Sequence, residues 1–118
     1  NQLCTDDFAG HLAHNANLSA KAIMAIAGYG EMARMLGKET TANKYIETAK
    51  RLAIEWEKME FDDDHYKLAF DKPGTWSQKY NLIWDKVFNM NIFPQKVFDT
   101  EIPFYLTKQN KYGLLLKM

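Results

Sequence analysis

The feature that most constrains this chain is the unbroken apolar run Ala22-Ile23-Met24-Ala25-Ile26-Ala27. It sits inside a stretch, residues 18–36, that has the length and composition of a helix. A helix with no polar face has to be covered on all sides, so this element is expected at the inside of an assembly. Its many small residues, Ala20, Ala22, Ala25, Ala27, Gly28, Gly30 and Ala33, let neighbouring helices approach closely. The two glycines each cost about 1 kcal/mol of helix propensity relative to Ala, which reads as a requirement for tight packing or as a local break. Asn17 fits an N-cap, and Gly37 stands where a helix-ending left-handed glycine belongs.

The next segment, residues 40–59, differs in kind. Ala42, Tyr45, Ile46, Ala49, Leu52, Ala53 and Trp56 fall on one stripe at spacings of three and four. Lys44, Glu47, Lys50, Arg51, Glu55 and Lys58 occupy the remaining surface. That is the pattern of an amphipathic outer helix. Only residues 37–39 separate the two helices, so they pair as an antiparallel αα-hairpin with an inner and an outer member. Ile23, Ile26, Tyr45, Ile46, Leu52 and Trp56 are expected to share its core.

A break follows at Asp62-Asp63-Asp64. Tyr66, Leu68 and Phe70 alternate with polar or small residues, the pattern of a short strand. Asp71-Lys72-Pro73-Gly74 reads as a turn. A third helix is expected over 76–89, with Tyr80, Ile83, Trp84, Val87 and Phe88 on one face. A fourth is expected from Pro94 towards 110, kinked or split at Pro103 and ended by Tyr112-Gly113. The fold class is therefore all-α: two stacked αα-hairpins, 17–59 and 76–112, with an irregular or β-hairpin insert around 61–75. Two such hairpins make a partial α/α toroid or solenoid. Their unequal lengths and long connection disfavour a short-period repeat array.

Composition removes several function classes. The chain's 118 residues amount to one domain or less, with 47% apolar residues. Fifteen basic residues balance fifteen acidic ones, so no net field draws in nucleic acid or an anionic membrane. Lys21, Glu31 and Arg34 interrupt the most apolar region before it reaches bilayer length. Cys4 is the only cysteine, which leaves no internal disulfide and does not decide the compartment. Residues 1–7 carry neither a basic stretch nor a long apolar run, so no targeting segment is read there.

Two segments carry chemistry-bearing residues. The first, Thr5-Asp6-Asp7-Phe8-Ala9-Gly10-His11-Leu12-Ala13-His14-Asn15-Ala16-Asn17, leads into the inner helix. Free N–H groups and partial positive charge at such a terminus suit oxygen-rich substrate groups. The plainer reading makes Asn15 and Asn17 caps and leaves Asp6 and Asp7 solvated. Asp7, His11 and His14 are ligand-type residues, but no full zinc signature is present. Asp62-Asp63-Asp64-His65 likewise lacks calcium-loop spacing. No metal or cofactor is expected. The second segment, Pro73-Gly74-Thr75-Trp76-Ser77-Gln78-Lys79-Tyr80-Asn81, leads into the other inner helix. Trp76, Tyr80 and Lys79 read either as core aromatics with a surface lysine, or as an aromatic platform with a polar partner. Alternate helices of a stack run in the same direction, so both segments should meet at one end.

The two segments resemble the glutaminase A family. The resemblance rests on residues 6–22, on Leu68-Ala69-Phe70-Asp71-Lys72-Pro73-Gly74-Thr75-Trp76-Ser77-Gln78-Lys79-Tyr80-Asn81-Leu82 with Trp84-Asp85-Lys86 behind it, and on Lys108-Gln109-Asn110-Lys111-Tyr112-Gly113-Leu114. It extends over almost the whole chain. It implies a secreted or periplasmic parent with a helical toroid similar to the six-hairpin glycosidases, of which this chain is a fragment. After Tyr112-Gly113 the chain reads Leu114-Leu115-Leu116-Lys117-Met118, where the family continues with a Pro-Leu-Asp-type stretch.

The activity so implied is hydrolysis of the glutamine side-chain amide to glutamate and ammonia by the parent, the fragment alone being inactive. Amide hydrolysis needs an activated nucleophile and proton transfer to the leaving nitrogen. Asp7 is the expected catalytic carboxylate. His14, Asn17, Trp76 and Lys79 are the expected substrate-binding residues. The expected partner is a small-molecule amide such as glutamine, with no nucleic acid and no membrane, and with oligomerisation open through exposed toroid faces. The alternatives are a carbohydrate-active hydrolase with paired carboxylates, and a non-catalytic helical scaffold or interaction module.

Overall fold

The computed structural model describes residues 13–116. The described residues form a mostly helical structure. Helix α1 spans Ala16–Met35 and α2 spans Glu39–Glu60. Two-residue strands β1 (Phe61–Asp62) and β2 (His65–Tyr66) pair antiparallel, Phe61 opposite Tyr66. A 3-10 turn at Tyr80–Leu82 leads into α3 (Ile83–Val87). Helix α4 (Gln95–Lys108) and a second small hairpin, β3 (Gln109–Asn110) with β4 (Gly113–Leu114), follow.

The first hairpin forms as the sequence dictates. Its cap is Asn15 rather than Asn17: the Asn15 side chain accepts from the Leu18 N–H at 2.8 Å. The chain leaves α1 through Gly37 at φ +73°, where a side chain would be strained. The facing residues are small. Gly30 is the point of closest approach, since a Cβ there would lie 2.8 Å from Ile46 Cγ1 and 3.1 Å from the Ala42 carbonyl oxygen. Ile23, Met24 and Ala27 pack with Ile46, Ala49, Ala53 and Trp56 in one core, with Ile26 and Leu52 partly buried against it. Trp56 organises the base of that core. Its indole N–H donates to the Ala16 carbonyl at 3.0 Å, and its ring stacks on Tyr66 and meets the edge of Phe93. Tyr45 stands apart from the core and packs instead against Tyr29, ring centroids 4.6 Å apart.

Three further expectations are corrected. Helix α1 is not covered all round: Ala22, Ala25, Tyr29 and Met32 are exposed, because among the described residues α2 covers only one face. The third helix is much shorter than 76–89. Residues 76–79 are not helical, because Lys79 turns inward to bond backbone carbonyls. The shared apolar face of that element, Tyr80, Ile83, Trp84, Val87 and Phe88, is exposed among the described residues, while Asn81, Leu82 and Asp85 are buried. Pro103 does not split α4, which runs through it and ends at Lys108 rather than near 112.

The strand-like stretch at 66–70 finds two partners. Its start pairs with β1. Its end pairs with the approach to α1, where Ala69 bridges Asn15, the Ala16 N–H donates to the Leu68 carbonyl at 2.9 Å, and the Phe70 N–H donates to the His14 carbonyl at 3.1 Å.

Candidate functional site

The two chemistry-bearing segments do meet. Asn17 is buried, and its side-chain oxygen accepts from the Asn81 N–H at 3.0 Å, while the Asn81 amide approaches the Asn17 carbonyl at 3.4 Å. The first turn of α1 is thus joined side by side to the 3-10 turn. His14 lies just before that junction with φ +57°, an uncommon conformation for a residue with a side chain. Its ring is 37% exposed and stands 3.3 Å from Asp71 Oδ2, a bond that holds the Asp71 carboxyl below the usual carboxylate range. Asp7 and His11 lie outside the described residues.

Trp76 and Lys79 turn away from solvent. Trp76 is buried edge-on against Phe104, and its indole N–H has no partner among the described residues. The Lys79 side chain is fully buried. Its ammonium donates to the Tyr66 carbonyl and, at 3.0 Å, to the Ser77 carbonyl, and it lies 3.4 Å from Glu101 Oε2. Glu101 is buried on α4, and its other oxygen accepts from the Tyr66 N–H at 2.8 Å. Tyr105, one turn further along α4, accepts from the Lys79 N–H at 2.9 Å and donates to the Ser77 carbonyl at 3.4 Å. A polar knot therefore ties β2, residues 77–79 and α4 together.

The electrostatics of this knot are unusual. Burial pushes Lys79 below the ordinary lysine range, against the pull of Glu101 and Glu60. Burial raises the Tyr105 hydroxyl, and the Glu101 charge beside it adds to the effect. Glu60, the last residue of α2, is fully buried, and neither carboxyl oxygen is bonded among the described residues. Burial pushes its pKa up to about 8, although Lys79 and Lys67 pull it down. Near neutrality Glu60 therefore keeps its proton in most molecules, within reach of the Lys79 charge. Shifts of this kind concentrate at functional sites, and buried structural pairs show them too.

Glu60, Glu101 and Tyr105 were not among the residues singled out from the sequence. A signal for the acids was present. Glu60 follows Ala53 and Trp56 on the buried stripe of α2, and Glu101 follows Phe93 and Val97 at spacings of four. A carboxylate on an apolar stripe is either a break in the pattern or a buried charge. Among the described residues no cluster of three or more His, Cys, Asp or Glu side chains is arranged to hold a metal, and no helix is long and apolar enough to cross a membrane.

Comparison with known proteins adds the family. The family model for the glutaminase A six helical-hairpin domain matches residues 1–118. The chain is 33% identical to glutaminase A of Aspergillus oryzae over 120 residues, covering 98% of this chain and 17% of that protein. It is 29% identical over 145 residues to a protein of Arthroderma benhamiae named "probable glutaminase", again covering 98% of the chain and 17% of the relative. No solved structure matches. The chain thus spans about a sixth of these relatives, and by the full-length match it belongs to the glutaminase A family, within its six helical-hairpin domain.

Proposed function

We propose that the protein carrying this chain hydrolyses the side-chain amide of glutamine, releasing glutamate and ammonia. The observation that carries this reading is the 33% identity to a glutaminase A across 98% of the chain. In this reading Asp7 acts as the carboxylate that activates water or carries the proton. His14, whose ring remains partly exposed, contacts substrate beside the first turn of α1. Asn17 is a positioning residue, since its side-chain oxygen is already engaged by Asn81. Trp76 and Lys79 act through the segment they anchor, Lys79 by holding residues 77–79 against Glu101 and Tyr66.

The test is ammonia release from glutamine by the full-length protein, run beside a panel of glycosides. Glutamine turnover without glycoside turnover supports the reading. Glycoside hydrolysis alone replaces it with a carbohydrate hydrolase. Asp7→Asn is expected to lower turnover by orders of magnitude while the protein stays folded, and unchanged turnover would remove Asp7 from the chemistry.

A further inference from the structure

The two described histidines differ in what their ring nitrogens face. Both nitrogens of His65 are engaged. Its Nδ1 stands 2.7 Å from Asp64 Oδ1, its Nε2 stands 3.0 Å from the Thr75 carbonyl oxygen, and its ring stacks on Phe104. His65 therefore braces the fold and has no nitrogen left for a reactant. His14 has one. Its Nδ1 lies 3.3 Å from Asp71 Oδ2, and among the described residues its Nε2 makes no hydrogen bond. The His14 side chain is 37% exposed and the Asp71 side chain 57%, so a reactant reaches the pair without disturbing the core.

Backbone bonds set this pair in place. The approach to α1 runs antiparallel to residues 68–70. The Ala16 N–H donates to the Leu68 carbonyl, Asn15 bridges Ala69, and the His14 carbonyl accepts from the Phe70 N–H. Asp71 comes next, in a turn that the Lys72 N–H closes on the Ala69 carbonyl at 3.0 Å. His14 itself lies in the left-handed region, which side chains disfavour. Such outliers persist where the surroundings over-determine them, and they cluster at functional sites. An exposed ion pair adds little to stability. What this one supplies is a ring orientation. An ionised carboxylate only accepts, so its bond requires a proton on Nδ1. The same bond holds the Asp71 carboxyl below the usual carboxylate range, which preserves that acceptor. Nε2 is then the nitrogen that gains and loses a proton.

We propose that Asp71 is a positioning residue: it fixes His14 with a proton on Nδ1, so that Nε2 delivers the proton to the departing nitrogen of the amide. This assignment rests on the hydrolase reading above. Asp7 takes one proton from water as the water oxygen bonds to the carbonyl carbon. The Nε2 proton of charged His14 passes to the amide nitrogen as the C–N bond breaks, its electron pair staying on nitrogen. Ammonia and a carboxylic acid result, with Asp7 protonated and His14 neutral. A proton returns from Asp7 to His14 through solvent. The Nδ1 proton remains on the ring throughout, held by Asp71.

The experiment uses the full-length protein with nitrogen-15-labelled histidine. Proton–nitrogen NMR, recorded with rising pH until the ring signals stop moving, shows which nitrogen keeps the proton in neutral His14. The loss of its signals in His14→Gln assigns them. Nδ1 is expected in the parent protein and predominantly Nε2 in Asp71→Ala, which removes an exposed side chain and should melt with the parent. For ammonia release from glutamine, Asp71→Ala should lower kcat about a hundredfold and change KM by less than about threefold. Asp71→Glu should recover roughly tenfold of that loss, which a merely structural role would not predict. Because Asp71 acts through His14, the double variant His14→Gln/Asp71→Ala should be no slower than His14→Gln alone. A proton on Nε2 in the parent, an unchanged kcat in Asp71→Ala, or a double variant far slower than His14→Gln overturns the proposal and leaves the hydrolase standing. No ammonia release by the parent overturns the hydrolase reading and the proton delivery with it, while the NMR result still decides whether Asp71 orients His14.

Discussion

Glu60 is a carboxyl group whose ionisation the fold opposes. An unfolded glutamate loses its proton near 4.5, while the folded one holds it to about 8. Between those values the native state binds more protons than the unfolded chain, so stability falls as pH rises through that window and levels off above it. The shift corresponds to several kcal/mol. Glu60→Gln removes this dependence. The difference in urea midpoint between the variant and the parent chain is expected to grow in the variant's favour from pH 5 to pH 9, and a constant difference would show that Glu60 is ionised in the fold. Gly28 and Gly30 make a second residue-scale contrast. Read from the sequence, both were packing positions or a local break; the structure separates them. A Cβ at Gly30 collides with Ile46, while at Gly28 nothing among the described residues lies within 4 Å. Gly30→Ala should destabilise by about 1–3 kcal/mol, less up to about 1 kcal/mol of helix propensity. Gly28→Ala should stabilise by up to about 1 kcal/mol. Thermal melts of the two variants should move in opposite directions. Sequence could not tell these glycines apart because the register of α2 against α1 decides which one is crowded.

At the scale of elements, α1 and α2 were legible because each combines a long period-consistent pattern with a short connection and a glycine stop. The stretch from 76 to 93 was not. Apolar spacing showed that Tyr80, Ile83, Trp84, Val87 and Phe88 share a face, but it did not show whether a neighbour covers that face. In the described structure the inward positions go to residues that satisfy backbone groups. Asp85, buried in α3, accepts from the Ile92 N–H at 3.0 and 3.1 Å and from the Phe93 N–H at 2.8 Å. It thereby folds back a loop in which Asn89 and Asn91 both have positive φ, and seats Ile92 and Phe93 in the core. Asp85→Ala leaves two buried N–H groups unpaired and should destabilise by roughly 2–4 kcal/mol. Asp85→Asn keeps one acceptor and should lose less. A urea midpoint unchanged in Asp85→Ala would mean that the loop holds itself. The candidate site was legible in the same partial way. Juxtaposition of the two segments followed from helix direction, and the Asn17–Asn81 contact realises it. Burial of Lys79 did not follow, because its partner Glu101 is supplied by α4, more than twenty residues later in the chain.

For the molecule as a whole, shape and surface are the informative quantities. The radius of gyration is 15.0 Å and the extents are 48 × 28 × 25 Å. A compact chain of this length would have a radius near 13.5 Å, about a tenth smaller. The elongated shape leaves apolar residues uncovered. On α1 the exposed residues Ala22, Ala25, Tyr29 and Met32 recur at spacings of three and four, so they form one stripe that α2 leaves largely uncovered, touching it only where Tyr29 meets Tyr45. A contiguous stripe of this kind marks a contact surface rather than a solvated one. The chain spans 17% of the relatives it matches, and the matching domain is described as six helical hairpins, so further hairpins of the parent are the natural cover. This yields a prediction with two arms. Ala25→Glu combined with Met32→Lys, made in the 118-residue chain, changes surface positions only and should shift stability by no more than about 0.5 kcal/mol. Made in the full-length protein, the same pair should destabilise by roughly 3 kcal/mol or more, because it places unpaired charge in a buried helix contact. Chemical denaturation of both forms provides the comparison. Equal small effects would mean that the stripe faces water in the parent and that α1 is not an inner helix. The same logic bears on catalysis: with that face open, the 118-residue chain should release no measurable ammonia from glutamine, and release from it would show that the remaining hairpins are dispensable for the chemistry.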